Sequence, residues 1–450
     1  MALRLGLIFR FPVIFGGDSM ARILHRDQIL LSHQLPLLQL IVYGISRVTH
    51  NYLIMQCAMA LIGASAGAAF YFLLSDLLEE RAAFLGALLL ATNPFLAALS
   101  IVPYQESLML GLLFLAFHFF YVDRPFAASW CLGLACFTRF EAWAAAPVLA
   151  LAYIAVRGMR PAAILRGSLL FGWAPLAWIV FRRGLAPPGS FVVDPHLTAA
   201  RLVRWVYLGY ITFKFTPLIV FALGLAALWL LWRERRAWWL RLWPLAVFVG
   251  VFLVALLFSA HGDWPDPERR ISAREAHILI SAVVLLALQG MQRYRVAFAV
   301  VGVAFGIWGA YRYVERECSD PHVLLAYRLA KYLDTAIQPG ERVLILAPPW
   351  PAYVFNFYLD RARATGGEAQ YQAALRTLAE ADTSPPSYQR TLVHSRFDRD
   401  RLLWTPGTCT EWIAVWSDYS PQPDLPTPAK VLGAGDLRVS IARRTCPVAR

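Results

Sequence analysis

Apolar runs recur along this chain from its first residues to about residue 314, and several are long enough to cross a hydrocarbon core of roughly 30 Å. Nothing else in the sequence constrains the fold so tightly. In lipid, backbone N–H and C=O groups must be satisfied inside the structure, so runs of this length are read as helices. Composition agrees, at 58% hydrophobic and only 16% charged residues, where soluble chains carry about 25% charged. A water-soluble enzyme, a secreted disulfide scaffold and a disordered chain are excluded. The chain reads as a polytopic α-helical membrane protein.

A net charge of +13 is a signal that in a soluble protein points to nucleic acid. Here the basic residues sit in short loops between apolar runs, where topology accounts for many of them, and no nucleic-acid partner is expected. The six cysteines form no C-x-x-C pair. Cys57, Cys131 and Cys136 lie in apolar segments and read as core residues. Cys318, Cys409 and Cys446 lie in the polar C-terminal part, where one disulfide, Cys409–Cys446 or another pairing, is open if that part is extracytoplasmic.

The apolar pattern gives about eleven spans, near 1–16, 52–74, 83–98, 107–121, 127–137, 142–156, 167–181, 211–232, 242–258, 276–291 and 296–314. The first is interrupted by Arg4, Arg10 and Pro12, and it has no small-residue cleavage site of the kind a removed signal peptide shows. With a cytoplasmic N-terminus, the cytoplasmic loops 75–82, 121–126, 157–166, 233–241 and 292–295 hold eleven arginines in 37 residues, including Arg157/Arg160/Arg166 and Arg233/Arg235/Arg236/Arg241. The opposite loops spread a similar number over a far longer stretch and mix it with acids. That density bias sets the N-terminus inside. An odd number of spans then places residues 315–450 outside. The expected organisation is a transmembrane domain over 1–314, with a first outward loop at 17–51, and a small extracytoplasmic α/β domain over 315–450. In that tail, strand-like runs at Arg342–Ala347, Trp412–Trp416 and Leu437–Ala442 alternate with helical stretches near His322–Ile337, Ala352–Leu359 and Gln370–Ala381.

Charges in the outward loops mark candidate chemistry. Gly16-Gly17-Asp18-Ser19 leads into Met20–Leu31, where Met20, Ile23, Leu24 and Leu31 form one stripe and Asp18, Arg22 and His25 another. Such a segment lies flat at the interface. Asp18 either caps this helix or takes a proton from an acceptor hydroxyl while neighbouring cations hold an anionic head group. The turn Ser100-Ile101-Val102-Pro103-Tyr104-Gln105-Glu106-Ser107 sets Glu106 at a helix start, beside Tyr104. Thr138-Arg139-Phe140-Glu141 interrupts an apolar stretch with an adjacent Arg and Glu. Ionisable groups at membrane depth are costly and face a partner or a cavity, so Arg139 and Glu141 either pair with each other or serve a ligand. The loop from His261 to Arg270 ends in Arg269-Arg270, a guanidinium pair suited to a phosphate. His261, Asp263 and Asp266 do not have fixed metal-ligand spacing; no metal residues are assigned and no cofactor is certain, a divalent metal remaining open.

Taken in order, these segments resemble the GT-C superfamily of polyprenyl-phosphate-sugar-dependent glycosyltransferases, and most of all its protein O-mannosyltransferase and lipid A aminoarabinose transferase branch. The resemblance rests on Gly-Asp after a short first span, Gln34-Leu35-Pro36-Leu37-Leu38, Ala91-Thr92-Asn93-Pro94-Phe95, Pro103-Tyr104-Gln105-Glu106-Ser107, the Thr138-Arg139-Phe140 turn, Glu268-Arg269-Arg270, and Pro339-Gly340-Glu341-Arg342-Val343-Leu344 in the tail. It implies that Asp18 matches the first-loop general base and Glu106 a second-loop acid. It places Arg139 near the lipid phosphate and Arg269 or Arg270 where an Arg-Tyr pair is common. Two features depart from the pattern: Asp18 is followed by Ser19 rather than a second acid, and Arg270 by Ile271 rather than Tyr.

The implied reaction moves a sugar from a polyprenyl-phosphate donor to a hydroxyl on a glycan, lipid or protein acceptor, at the extracytoplasmic face of the plasma membrane (the inner membrane in a bacterium). Catalysis falls to Asp18 and Glu106; Arg22, His25, Tyr104, Arg139, Glu141, Arg269 and Arg270 hold substrate. The rival readings are a transporter or lipid flippase without transferase activity, and a lipid-linked glycan polymerase or ligase.

Overall fold

A computed structural model describes residues 1–11, 19, 22–23, 29, 35–49, 52–183, 199–218, 220–226, 237–258, 276–290, 295–336, 343–346, 393–394, 412–417, 428, 430–434 and 437–443. The chain divides into two compact units. The first comprises residues 1–10, 28–44 and 55–314; the second comprises 11–27, 45–54 and 315–450.

The first unit is helical. Its helices are α1 (Ala2–Arg10), most of α2 (Pro36–Val48), most of α3 (Tyr52–Leu77), α4 (Glu80–Ala91), α5 (Pro94–Leu99), α6 (Glu106–Tyr121), α7 (Pro125–Cys136), a 3₁₀ turn (Phe140–Ala144) continuing into α8 (Ala145–Arg157), α9 (Pro161–Arg183), α10 (Ala199–Lys214), α11 (Ala237–Phe258), α12 (His277–Gly290) and most of α13 (Arg295–Cys318). Several begin at proline, whose fixed φ suits the first helical position and whose missing N–H costs nothing there. Pro36, Pro94, Pro125 and Pro161 all do this. Among the described residues, four helical stretches are long and apolar enough to cross a membrane, Tyr52–Leu77, Phe140–Arg157, Pro161–Phe181 and Val296–Cys318. Shorter apolar helices at Pro36–Val48, Glu106–Tyr121, Pro125–Cys136, Leu242–Leu256 and His277–Leu288 accompany them. This is a multi-pass membrane protein.

Three details differ from the sequence reading. The later part of the stretch taken as one outward loop carries the apolar helix α2. The span expected at 211–232 is broken near its start: one helix runs from Ala199 to Lys214, and helical residues resume at 218 after a turn at 215–217. The expected span at 83–98 is two helices, α4 and α5, broken at Asn93-Pro94. Pro94 has no N–H to give to the carbonyl of Leu90, and the N–H of Asn93 takes that carbonyl instead at 3.1 Å.

The break is closed on every side. Asn93 Oδ1 accepts from the N–H groups of Phe95 and Leu96, and its Nδ2 donates to the Phe215 carbonyl at 2.8 Å. Phe95, fully buried, packs its ring 4.9 Å from that of Phe215 and 5.7 Å from that of Tyr313. Helix α13 lays Gly302, Gly306 and Gly309 against the same region. A Cβ on Gly306 would come 2.2 Å from the Thr92 carbonyl oxygen, and one on Gly309 2.7 Å from the Pro94 ring. Small residues at such spacing allow the close backbone approach that membrane helices use in place of a hydrophobic driving force.

The second unit contains a five-stranded mixed sheet in the order β2-β1-β3-β5-β4, with β1 Val343–Leu346, β2 Val393–His394, β3 Trp412–Trp416, β4 Lys430–Ala434 and β5 Leu437–Arg443. β1 runs parallel to β2 and β3, while β5 is antiparallel to β3 and β4. Helix α14 (Pro321–Ala336) packs on β4 and β5. The three expected strands and the first expected helix are present, and β2 and β4 are added. The helices expected at Ala352–Leu359 and Gln370–Ala381 lie outside the described residues.

Candidate functional site

The site is built on the C-terminal end of α7. Helices leave their last carbonyls without intrahelical partners, and in an apolar bundle each such group costs several kcal/mol if left bare. Here the partners are specific. Thr138 Oγ1 donates to Leu134 O at 2.9 Å, and the N–H groups of Thr138 and Arg139 donate to Ala135 O at 2.9 and 3.1 Å. Trp143 Nε1 donates to Cys136 O at 3.0 Å, and the N–H of Leu37, one residue into α2, donates to Phe137 O at 3.0 Å. With its backbone so held, Arg139 sits extended (φ −148°, ψ 148°) between two helical segments. Its side chain is buried beside the start of α6.

There three charged side chains meet. Arg139 Nη1 donates to Glu106 Oε1 at 2.5 Å. Arg139 Nε donates to Glu141 Oε1 at 2.9 Å, and Nη2 donates to that same oxygen. Glu106 has no exposed surface and Arg139 retains 8%. Glu106 is the first residue of α6 and Glu141 lies in the first turn leading into α8, so both carboxylates occupy helix N-termini, where the backbone dipole favours negative charge. A fourth group, His277, fully buried at the first position of α12, lies within electrostatic range of Glu141. Formally the two glutamates and Arg139 carry a net charge of −1.

Removing one member of a buried ion pair costs about 3–5 kcal/mol, because it strands the partner's charge. The arrangement is therefore rigid, and it fixes the plane of the guanidinium. Chemically it offers an oriented guanidinium for an anion and carboxylates for a hydroxyl proton. Among the described residues, no group of three or more His, Cys, Asp or Glu side chains is placed to hold a metal ion.

The structure brings together Glu106, Arg139 and Glu141 from the expected set. Tyr104 is half-buried in the turn before α6, its N–H bonded to Val102 O at 2.6 Å. Arg22 belongs to the second unit and is almost fully buried. Asp18, His25, Arg269 and Arg270 lie outside the described residues. Sequence reasoning passed over His277. Its signal was an ionisable residue opening an apolar span, two residues after Arg274-Glu275.

The apolar helices, the span broken at Asn93-Pro94 and the buried charged turn together make this a polytopic helical membrane protein. No protein-family model matches the sequence, and no curated protein does either. Among solved structures, the chain is similar to ArnT from Cupriavidus metallidurans in the apo state, at 12% identity and a TM-score of 0.60 over 95% of this chain and 93% of that one. A looser likeness links it to the oligosaccharyltransferase of Archaeoglobus fulgidus in the apo form, at 13% identity and a TM-score of 0.44, over 90% of this chain and 66% of that one.

Proposed function

We propose that this protein is an integral-membrane glycosyltransferase that moves a sugar from a polyprenyl-phosphate donor to a hydroxyl acceptor on the extracytoplasmic face. The observation that carries this reading is the buried Glu106–Arg139–Glu141 network at one end of an apolar bundle with the fold of ArnT. The charge distribution supports this face. Helix α6 runs from Glu106 at the site end to Tyr121 at the other, and the turns at that other end carry Arg81, Arg124, Arg157, Arg160 and Arg166, the pattern of a cytoplasmic surface.

A sugar joined through C1 to a phosphate already has a good leaving group, so the step needs charge stabilisation more than a general acid. Asp18 takes the proton from the acceptor hydroxyl. The acceptor oxygen bonds to C1 as the C1–O bond to phosphate breaks, and the electron pair leaves with the polyprenyl phosphate, inverting the anomeric centre. Arg139, with Arg269 or Arg270, binds the developing phosphate charge. Glu141 holds one edge of the Arg139 guanidinium, so a phosphate oxygen can replace Glu106 on Nη1 without losing the side chain's orientation. That exchange releases the Glu106 carboxylate beside the reacting groups. Arg22, His25 and Tyr104 contribute to holding donor or acceptor. The partners are a lipid-linked sugar, a hydroxyl acceptor and the bilayer itself.

Reconstituted proteoliposomes holding a labelled polyprenyl-phosphate sugar test this reading. The wild type should release polyprenyl phosphate in step with acceptor glycosylation, and Asp18→Asn should abolish both while inserting normally. Wild-type turnover by Asp18→Asn would remove Asp18 as the base. Donor translocation without cleavage of the C1–O bond would identify a flippase instead. Transfer of an oligosaccharide but never of a single sugar would identify a polymerase or ligase.

A further inference from the structure

Arg4 lies on α1 with only 2% of its surface exposed. An arginine within an apolar helix costs about 2.5–3.5 kcal/mol on insertion scales, so its hydrogen bonds should explain its presence. Arg4 Nη1 donates to the Ala91 carbonyl at 3.0 Å, and Nε donates to Ser100 Oγ at 2.6 Å. Ala91 is the last residue of α4 and Ser100 the C-cap of α5. One guanidinium thus ties the last residue of α4 to the C-cap of α5, bridging the six-residue helix between them. Both contacts fall at helix C-termini, where unsatisfied carbonyls concentrate partial negative charge.

The surroundings keep the strap in place. Ser100 Oγ donates onward to Ala97 O at 3.0 Å, which directs its lone pairs toward Arg4. Gly63 of α3 leaves the room, since a Cβ there would come 2.2 Å from Ser100 Cβ and 2.9 Å from Arg4 Nε. Beyond Ser100 the chain turns at once, with Ile101 N–H to Ala98 O at 3.3 Å and Val102 N–H to Leu99 O at 3.4 Å, and Ser100, Ile101 and Val102 are all buried. This short, packed lever ends at Glu106.

We propose that Arg4 is a positioning residue: by strapping α5 it sets the 100–105 turn and thereby the seat of Glu106 against Arg139. The proposal rests on the placement of Glu106 in the transfer site, and one arm of its test does not depend on transfer. Arg4→Met should speed amide hydrogen exchange in a peptide covering 100–106 while leaving α8 and α9 unchanged. In the transfer assay it should lower kcat about tenfold or more, yet less than about threefold when Glu106 is already Gln, because coupled positions are not additive. Arg4→Lys, whose compact ammonium lacks the planar fork of a guanidinium, should fall between. If Arg4→Met fails to insert, Ser100→Ala, which removes one acceptor, carries both arms.

Unchanged exchange at 100–106 would overturn the proposal. So would an equal loss of rate with and without Glu106, which would show a general structural role. If the wild type transfers no sugar at all, the glycosyltransferase reading fails while the exchange arm still decides whether Arg4 sets the turn.

Discussion

Helix α6 carries charge at both ends, and the two ends handle it in opposite ways. At its start, Glu106 and Arg139 are sealed from solvent and each group's position depends on the others. About twelve residues on, roughly 18 Å along the axis at 1.5 Å per residue, His118 Nδ1 meets Asp76 Oδ2 at 2.7 Å with both side chains partly exposed. One turn further, Arg157 pairs with Asp123 with side chains 45% and 74% exposed, and the guanidinium also lies 5.9 Å from the Tyr153 ring centroid. Water can replace any partner at this second end. At the first it cannot, so burial, more than the number of ion pairs, separates a fixed charged network from a solvated rim.

Four substitutions sharpen or break this contrast. Arg139→Met should lower unfolding stability in micelles by about 3–5 kcal/mol, since it strands two buried carboxylates, and Glu106→Gln in the same chain should recover part of that loss. A shift below about 1 kcal/mol would show that water reaches the trio. His118→Ala should cost about 1 kcal/mol, read from the same unfolding curves, with transfer unaffected. Arg157→Ala should move stability by less than about 1 kcal/mol, the range of an exposed pair with one cation–π contact, and should leave the rate of transfer unchanged. A large loss from Arg157→Ala would erase the distinction between the two ends.

The sequence made the first end legible for the same physical reason. Arg139 and Glu141 inside an apolar stretch, and Glu106 at the head of one, are expensive there and so stand out. Hydropathy could not show that Arg139 takes Glu106 and Glu141 together, because their separation along the chain says nothing about which turns converge. Arg4 read as a flaw in a weak span, since its acceptors are a backbone carbonyl and a serine that no pattern marks. The split of the span at Asn93-Pro94 was written in that dipeptide, a turn signal in its own right, and was hidden by the apolar residues on either side. His277 looked like any histidine at the edge of a membrane. Asp18, His25, Arg269 and Arg270 stand where the sequence reading left them, outside the described residues.

The three glycines of α13 make that helix a keyed joint. Gly306 rests against the Thr92 carbonyl, and its neighbours in sequence are Phe305 and Ile307. Turning α13 about its axis, or shifting it by one residue, would drive one of those large side chains into the backbone of Thr92. This joint therefore has one seat, and it holds α13 and the α4–α5 pair in a single register.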